Sequence, residues 1–301
     1  SVVAVSLKKK GEMHGRPDFA DPMDQQAFSW CFALENRKGE DHTISRPGRY
    51  DFWRNYVPQM TPAWCGRLFS WTVPSHNDAG CRTFPFHPWP EVCPANVWDM
   101  WRYRRIVDAS IHTPGKGQDH PDVCLVNWVQ MDYWLKPLLN VPGDVAAAAL
   151  VEAREQSLCL LYWLQTEAPH ADGKGAGFPG LRLRGDELGT KDGFAMAPYI
   201  REPRRLQART IVHEGYIGVE QRKAEGRAGM DVSPLGVGER FEDSVGIGHY
   251  TLDLHPSTAG RNSVYVPATP FRIPLGSLIP VRVRNLVAAG KGIGRASCRE
   301  R

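Results

Sequence analysis

Three side chains toward the end of the chain have the types and spacing for proton chemistry. His249, Asp253 and His255 stand at even intervals. Residues an even number apart in a strand share one face. The stretch Tyr250-Thr251-Leu252-Asp253-Leu254-His255 alternates as a strand does, so one face would carry two imidazoles and a carboxylate, with Thr251 among them. An imidazole, with an ordinary pKa of about 6.5, exchanges protons near neutral pH. Either histidine could serve as a base; the competing reading makes His255 a structural residue ahead of the turn at Pro256. A second cluster, Arg201, Glu202, Arg204 and Arg205, reads by itself as a solvated turn, with surface ion pairs worth roughly 0–1 kcal/mol each. A third feature, Gly290-Lys291-Gly292, closes an apolar stretch of strand character. A lone G-x-G is weak evidence for a dinucleotide and serves equally well as an ordinary strand-to-helix turn.

Other chemistry finds less support. The seven cysteines form no C-x-x-C pair; most read as buried free thiols. Cys81, His87 and Cys93 are evenly spaced, but too far apart for a usual zinc knuckle, so no metal is expected. Ten tryptophans suggest a different class of function. Aromatic platforms beside a carboxylate pair, such as Asp253 with Asp243 or Glu242, would suit a carbohydrate-active hydrolase or lyase. A non-catalytic carbohydrate-binding module would use the same aromatics. Lys and Arg number 37 against 33 Asp and Glu, for a net charge of +4. The basic runs Lys8-Lys9-Lys10 and Arg102-Tyr103-Arg104-Arg105 are short and read as solvated faces, so nucleic acid is not an expected partner. No apolar run approaches the ~20 residues of a membrane helix. The expected partner is a small-molecule substrate.

The elements that must position these residues can be traced from patterning. With 301 residues, 42% of them hydrophobic, one or two packed domains are expected. Strands are predicted over the apolar run Ala27 to Leu34, over Trp98 to Asp108, Val123 to Trp128, Thr210 to Val212, Val281 to Val283 and Leu286 to Ala289. A helix is predicted to start near Tyr50. Residues 72–95 are too rich in proline for a helix or central strand. The clearest element is a helix over 145–167, N-capped by Asp144. Its predicted apolar stripe is Val151, Leu158, Leu161 and Leu164, widened by Leu160 and Trp163. Scattered strands and few helices predict an α+β fold, a mixed or antiparallel sheet with one long helix.

From Val126 onward several segments stand together in a familiar order. They are Val126-Asn127-Trp128 with Asp132-Tyr133, the helical Ala153 to Glu167, and Gly177-Phe178-Pro179-Gly180-Leu181-Arg182-Leu183-Arg184. Then come Ala197-Pro198-Tyr199-Ile200-Arg201-Glu202-Pro203-Arg204-Arg205, Asp243 to Tyr250 with Asp253-Leu254-His255-Pro256, and Ile273 to Lys291. In this the chain resembles FAD-dependent oxidoreductases of the glutathione-reductase type. The resemblance implies FAD as cofactor and hydride transfer from a small substrate to flavin. A protein base would then remove an O–H or N–H proton. It implies catalytic roles for Arg201, His249 and His255, substrate binding by Glu202, Arg205 and Asp253, and flavin contact by Gly290, Lys291 and Gly292. A guanidinium lining that site could hold a substrate carboxylate or hydroxyl. Asn127, Trp128, Asp132 and Tyr133 would be structural.

The chain departs from the family pattern in having no G-x-G-x-x-G turn. Gly246-Ile247-Gly248 lacks the third glycine. Residues 1–270 are therefore expected to form the substrate domain. Residues 271–292 would be strands returning to a dinucleotide-binding domain, of which they are a remnant. Ser1-Val2-Val3-Ala4-Val5 reads like the end of a strand. Residues 293–301 read as a non-native tail translated from adapter DNA. The expectation is an internal fragment, itself inactive and unable to hold FAD unaided.

Overall fold

The computed structural model describes residues 21–75, 80–89, 99–111, 120–201, 206–224 and 238–290. Strands β1 (Phe28–Ser29) and β2 (Phe32–Asn36) are followed by α1 (Tyr50–Asn55). A hairpin, β3 (Thr72–Pro74) with β4 (Cys81–Thr83), leads to α2 (Met100–Tyr103) and β5 (Arg105–Val107). Next come β6 (Val123–Val126), β7 (Asp132–Tyr133) and the long α3 (Gly143–Thr166). The chain continues through β8 (Leu181–Leu183), α4 (Gly185–Leu188), β9 (Tyr199–Ile200), α5 (Glu214–Ile217) and α6 (Val219–Ala224). It closes with β10 (Ser244–Gly248), β11 (Leu252–Leu254), β12 (Val264–Val266) and β13 (Phe271–Pro274).

Every strand pair among the described residues is antiparallel. The strands form one sheet in the order β5-β6-β2-β8, one in the order β7-β1-β9, and three two-stranded ribbons. The helix α3 packs on both α1 and β1. Its buried face includes Leu160, Leu161, Trp163 and Leu164 of the predicted stripe but not Val151. Val151 is 67% exposed, and the inward positions are Ala149, Ala153, Gln156, Ser157, Leu160, Leu161 and Leu164. Three polar side chains, Gln156, Ser157 and Gln165, are among the buried ones. They interrupt the apolar periodicity: Ser157 Oγ donates to the Ala153 carbonyl of the same helix, and the two glutamines bond backbone groups of other segments. Gln165 Nε2 donates to the carbonyls of His42 and Leu181, and Gln156 Nε2 to those of Gln130 and Asp132.

Several predicted strands take other forms. The run Ala27 to Leu34 is two strands in two sheets, since Cys31 separates a β1 paired with β7 and β9 from a β2 paired with β6 and β8. Trp98 to Asp108 is not one strand. Asp99 Oδ1 accepts from the amides of Trp101 and Arg102 and caps the short helix α2, and strand resumes only at Arg105. Thr210 to Val212, Val281 to Val283 and Leu286 to Ala289 are irregular. Val281, Val283, Leu286 and Val287 are exposed, without a strand neighbour among the described residues. Cys65 and Cys81 form a disulfide with Cα atoms 5.8 Å apart. Cys31, Cys124 and Cys159 are the buried free thiols among the described residues, while the disulfide departs from the free-thiol reading. Cys93 and Cys298 lie outside the described residues.

The core is in two parts. The larger gathers Trp53, Trp71, Phe86, Trp101, Trp128 and Trp163 with Leu160, Leu161 and Leu164 of α3. The smaller joins Val212 and Ile217 to Leu252, Leu254, Val264, Val266 and Phe271. Aromatic rings interlock in the larger one: Trp71 stacks on Phe86 at 4.9 Å, and Phe86 meets Trp128 edge-on at 5.6 Å.

Two outcomes follow from this packing. Leu161→Ala should destabilise the fold by ~2–5 kcal/mol, from lost transfer energy plus a cavity. Val151→Ala should stay within about 0.5 kcal/mol, as exposed positions do. Urea unfolding measures both, and equal losses would mean the helix face is misassigned. Burial beside the smaller core lifts the Glu214 carboxyl to about 7. A carboxyl whose folded pKa is raised costs stability once pH exceeds the unfolded value, and the cost is complete above the folded one. Glu214→Gln should therefore raise the melting temperature by a few degrees above pH ~7 and leave it unchanged in mild acid. An equal shift at all pH values would count against a buried carboxyl.

Candidate active site

The short sheet β7-β1-β9 aligns Ser29 with Asp132 on one side and Tyr199 on the other. Arg201 stands two residues past Tyr199 and so returns to the same face. These residues build a closed ionic cluster. The Asp132 side chain is fully buried and Arg201 nearly so. Arg201 Nη2 lies 2.8 Å from Asp132 Oδ1. Ser29 Oγ donates to the same oxygen at 2.6 Å. Arg201 Nη1 also donates to Ser29 Oγ and to the Ala27 carbonyl, and Nη2 to Asn127 Oδ1 at 3.1 Å. The backbone of Asp132 is fixed from behind by Gln156 of α3.

The second oxygen of Asp132 faces His255. The Asp132 Oδ2 to His255 Nδ1 distance is 2.5 Å. The backbone amide of His255 donates to Gln26 Oε1. His255 Nε2 is 3.6 Å from Asp253 Oδ2. Burial by itself would raise the Asp132 carboxyl. The charges of Arg201 and His255, with hydrogen bonds from His255 and Ser29, outweigh it and hold the group below the usual carboxylate range. An ionised carboxylate only accepts. Nδ1 must then carry a proton, and in the neutral ring Nε2 is left as the basic atom.

A cavity of about 300 Å³ opens at this point. Asp253, His255 and Tyr265 line it from the side of the smaller core, and Arg104, Asn127 and Trp128 from the side of the larger. Its volume is at the small end for ligand pockets. Among the described residues no group of three or more His, Cys, Asp or Glu is arranged to hold a metal ion. No described helix is long and apolar enough to cross a membrane.

The structure brings together only part of the predicted set. His255 and Asp253 meet at the cavity. His249 is exposed and does not share their strand face. Residues 249–251 link β10, which pairs with β13, to β11, which pairs with β12, so the alternation does not run through them. Arg201 is inside the ionic cluster, not on the cavity wall. Gly290 is exposed at φ +69° with open space around its Cα. Glu202, Arg205, Lys291 and Gly292 lie outside the described residues. Sequence reasoning missed the part played by Asp132 and Ser29. Asp132 is 123 positions from His255 and 103 from Ser29, and no local spacing could signal either contact.

The carbohydrate readings find little here. The tryptophans largely enter the core instead of forming a surface platform. Asp243 is engaged in a turn, its carboxylate accepting the Gly276 amide at 2.9 Å. Comparison with known families points elsewhere: a model described as FAD dependent oxidoreductase matches residues 11–298. No curated protein and no solved structure matches the chain.

The ionic cluster makes a prediction with a definite sign. Asp132→Asn leaves Arg201 buried without its counter-charge and should cost ~3–5 kcal/mol at neutral pH. A carboxyl whose folded pKa is depressed contributes its full stabilisation above its unfolded value and loses it as pH falls through the folded one. The gap between wild type and variant should therefore narrow in acid. Urea unfolding at pH ~7 and pH ~3 compares them; a gap that stays constant would assign the charge coupling to another group.

Proposed function

This chain belongs to the FAD dependent oxidoreductase family, and we propose that the cavity beside His255 holds a small substrate from which the imidazole takes a proton during oxidation. FAD is the cofactor the family implies. The described residues are a poor match for its pyrophosphate, which seeks free amides at a helix N-terminus. The one long helix starts at Gly143 with Asp144 in its first turn, a carboxylate where an anion would have to sit. No FAD contact is therefore assigned to a described residue. FAD supplies the two-electron acceptor when bound, and the chain's own residues handle the proton.

The single observation that carries this reading is the Asp132–His255 pair at the cavity wall. Asp132 orients the ring, and its charge favours the imidazolium that forms when Nε2 gains a proton. Arg201 and Ser29 act through Asp132 and are positioning residues in this scheme. Asp253, close to Nε2, would stabilise the same cation. The substrate group losing its proton is an O–H or N–H. Hydride is the form in which the electrons leave the adjacent carbon.

The domain scheme is part of the same proposal. Residues up to 270 form the substrate-binding part, and 271–292 return toward the dinucleotide-binding part. The exposure of Val281, Val283, Leu286 and Val287 supports it, because such apolar side chains gain by being covered.

In FAD-loaded protein, His255→Asn should slow flavin reduction by about 10²–10⁴-fold, as loss of a general base does. The flavin content should stay the same. Stopped-flow bleaching with a panel of small hydroxy and amino acids reports the rate. Wild-type rates in His255→Asn, or the same loss in His249→Asn, would sink the assignment.

A further inference from the structure

The run Arg102-Tyr103-Arg104-Arg105 resembles a solvated basic face in sequence, but its arginines have separate fates. Arg105 pairs with Asp122 at 2.9 Å and with Asp108. Arg102 lies 3.9 Å from Asp99. Arg104 has no carboxylate within ion-pair distance among the described residues; its guanidinium stacks over the Tyr103 ring at 4.5 Å. Its backbone is pinned between α2 and β5, with its carbonyl accepting the Leu125 amide at 2.8 Å. Arg104 lines the same cavity as His255.

Two N–H groups on cavity-lining residues lack an acceptor. Arg104 Nε and Trp128 Nε1 are both buried, and neither has a hydrogen-bond partner. Trp128 itself is 2% exposed. More than nine in ten buried polar groups in proteins are bonded, so unpaired donors on two residues that line one cavity are unusual. Guanidinium favours a planar acceptor with two oxygens. Arg201, the expected carboxylate clamp, is unavailable for this because Asp132 already occupies it.

We propose that Arg104, with Trp128 beside it, binds a carboxylate of the substrate. The substrate class is then a small carboxylic acid bearing an oxidisable hydroxyl or amine. Its carboxylate sits toward Arg104 and its reacting O–H or N–H toward His255. The inference rests on the cavity being the substrate site, but it concerns recognition, not the proton step.

The test separates the two. Titration calorimetry of the purified chain with benzoate and with benzamide compares a carboxylate with its uncharged isostere. Benzoate should bind about 10–100-fold tighter, the range for a hydrogen bond to a charged group. Arg104→Gln should remove that preference, Arg104→Lys should retain part of it, and Trp128→Phe should reduce it. His255→Asn should preserve it. If Arg104→Gln does not fold, the wild-type ratio of benzoate to benzamide and its fall with added salt still decide the matter. Equal binding of the two probes, a preference that survives Arg104→Gln, or inorganic phosphate displacing benzoate at lower concentration would each overturn the carboxylate assignment. A normal preference together with a wild-type oxidation rate in His255→Asn would leave it standing and remove the catalytic role of His255 instead.

Discussion

A carboxylate with no exposed surface stays ionised only if opposite charge and hydrogen bonds replace its lost water, and Asp132 is in that position. Arg201, Ser29 and His255 supply the replacement from three other parts of the chain. Breaking such a pair leaves a buried charge, which is why the cluster constrains its surroundings so strongly. The sheet β7-β1-β9 has only two residues per strand. Strands that short have little ladder energy of their own. Their register is held by the side chains they bring together, and by Gln156 of α3, which donates to the carbonyls of Gln130 and Asp132 on either side of the turn.

The same constraint reaches the cavity. His255 connects the ionic cluster to the smaller core through Leu254, and Asn127 connects it to the larger one through Val126 and Trp128. A space bordered by both cores is a common place for a ligand, since each core can present rigid side chains to it. Asp132 and Arg201 are behind the wall, their side chains almost wholly buried. His255 stands in the wall, 14% exposed, and passes the effect of the buried charge to an accessible nitrogen. Arg104 lines the same cavity and pairs with no carboxylate among the described residues.

Charge elsewhere in the fold is arranged for structure. Glu35, fully buried in β2, is held by Arg37 at 3.0 Å, Arg184 at 3.1 Å and Arg182. Arg184 in turn draws the Asp186 carboxyl down to about 2 by hydrogen bonding, against the opposing effect of burial. Glu152 and Glu167 of the α3 region bind Tyr133 and Tyr50 and pair with Lys136 and Arg54. In each network the donors have carboxylates and the carboxylates have donors. The first network ties β2 to β8, and the others tie β7 and α1 to the α3 region. Arg104 and Trp128 differ because their open N–H groups lie on residues that line a cavity.

How much of this was legible in the sequence depends on the range of the forces involved. The helix near 145–167 was readable, because length, alanine content and an acidic first turn are local properties. Its buried Leu160, Leu161, Trp163 and Leu164 were readable too, but the inward turn of Gln156 and Gln165 toward distant carbonyls was not. The segments from Val126 onward pointed to the family that also matches residues 11–298, and His255 and Asp253 were picked out by residue type and spacing together with that resemblance. The sequence by itself thus determined composition, the long helix, the family and two of the residues at the cavity. Tertiary structure alone decided that His249 faces solvent, that Arg201 serves Asp132, and that Arg104 leaves its basic run to face a cavity. The physical reason is that strand alternation ends wherever a strand changes its pairing partner, and a buried charge acquires its meaning only from the counter-charge that folding brings to it.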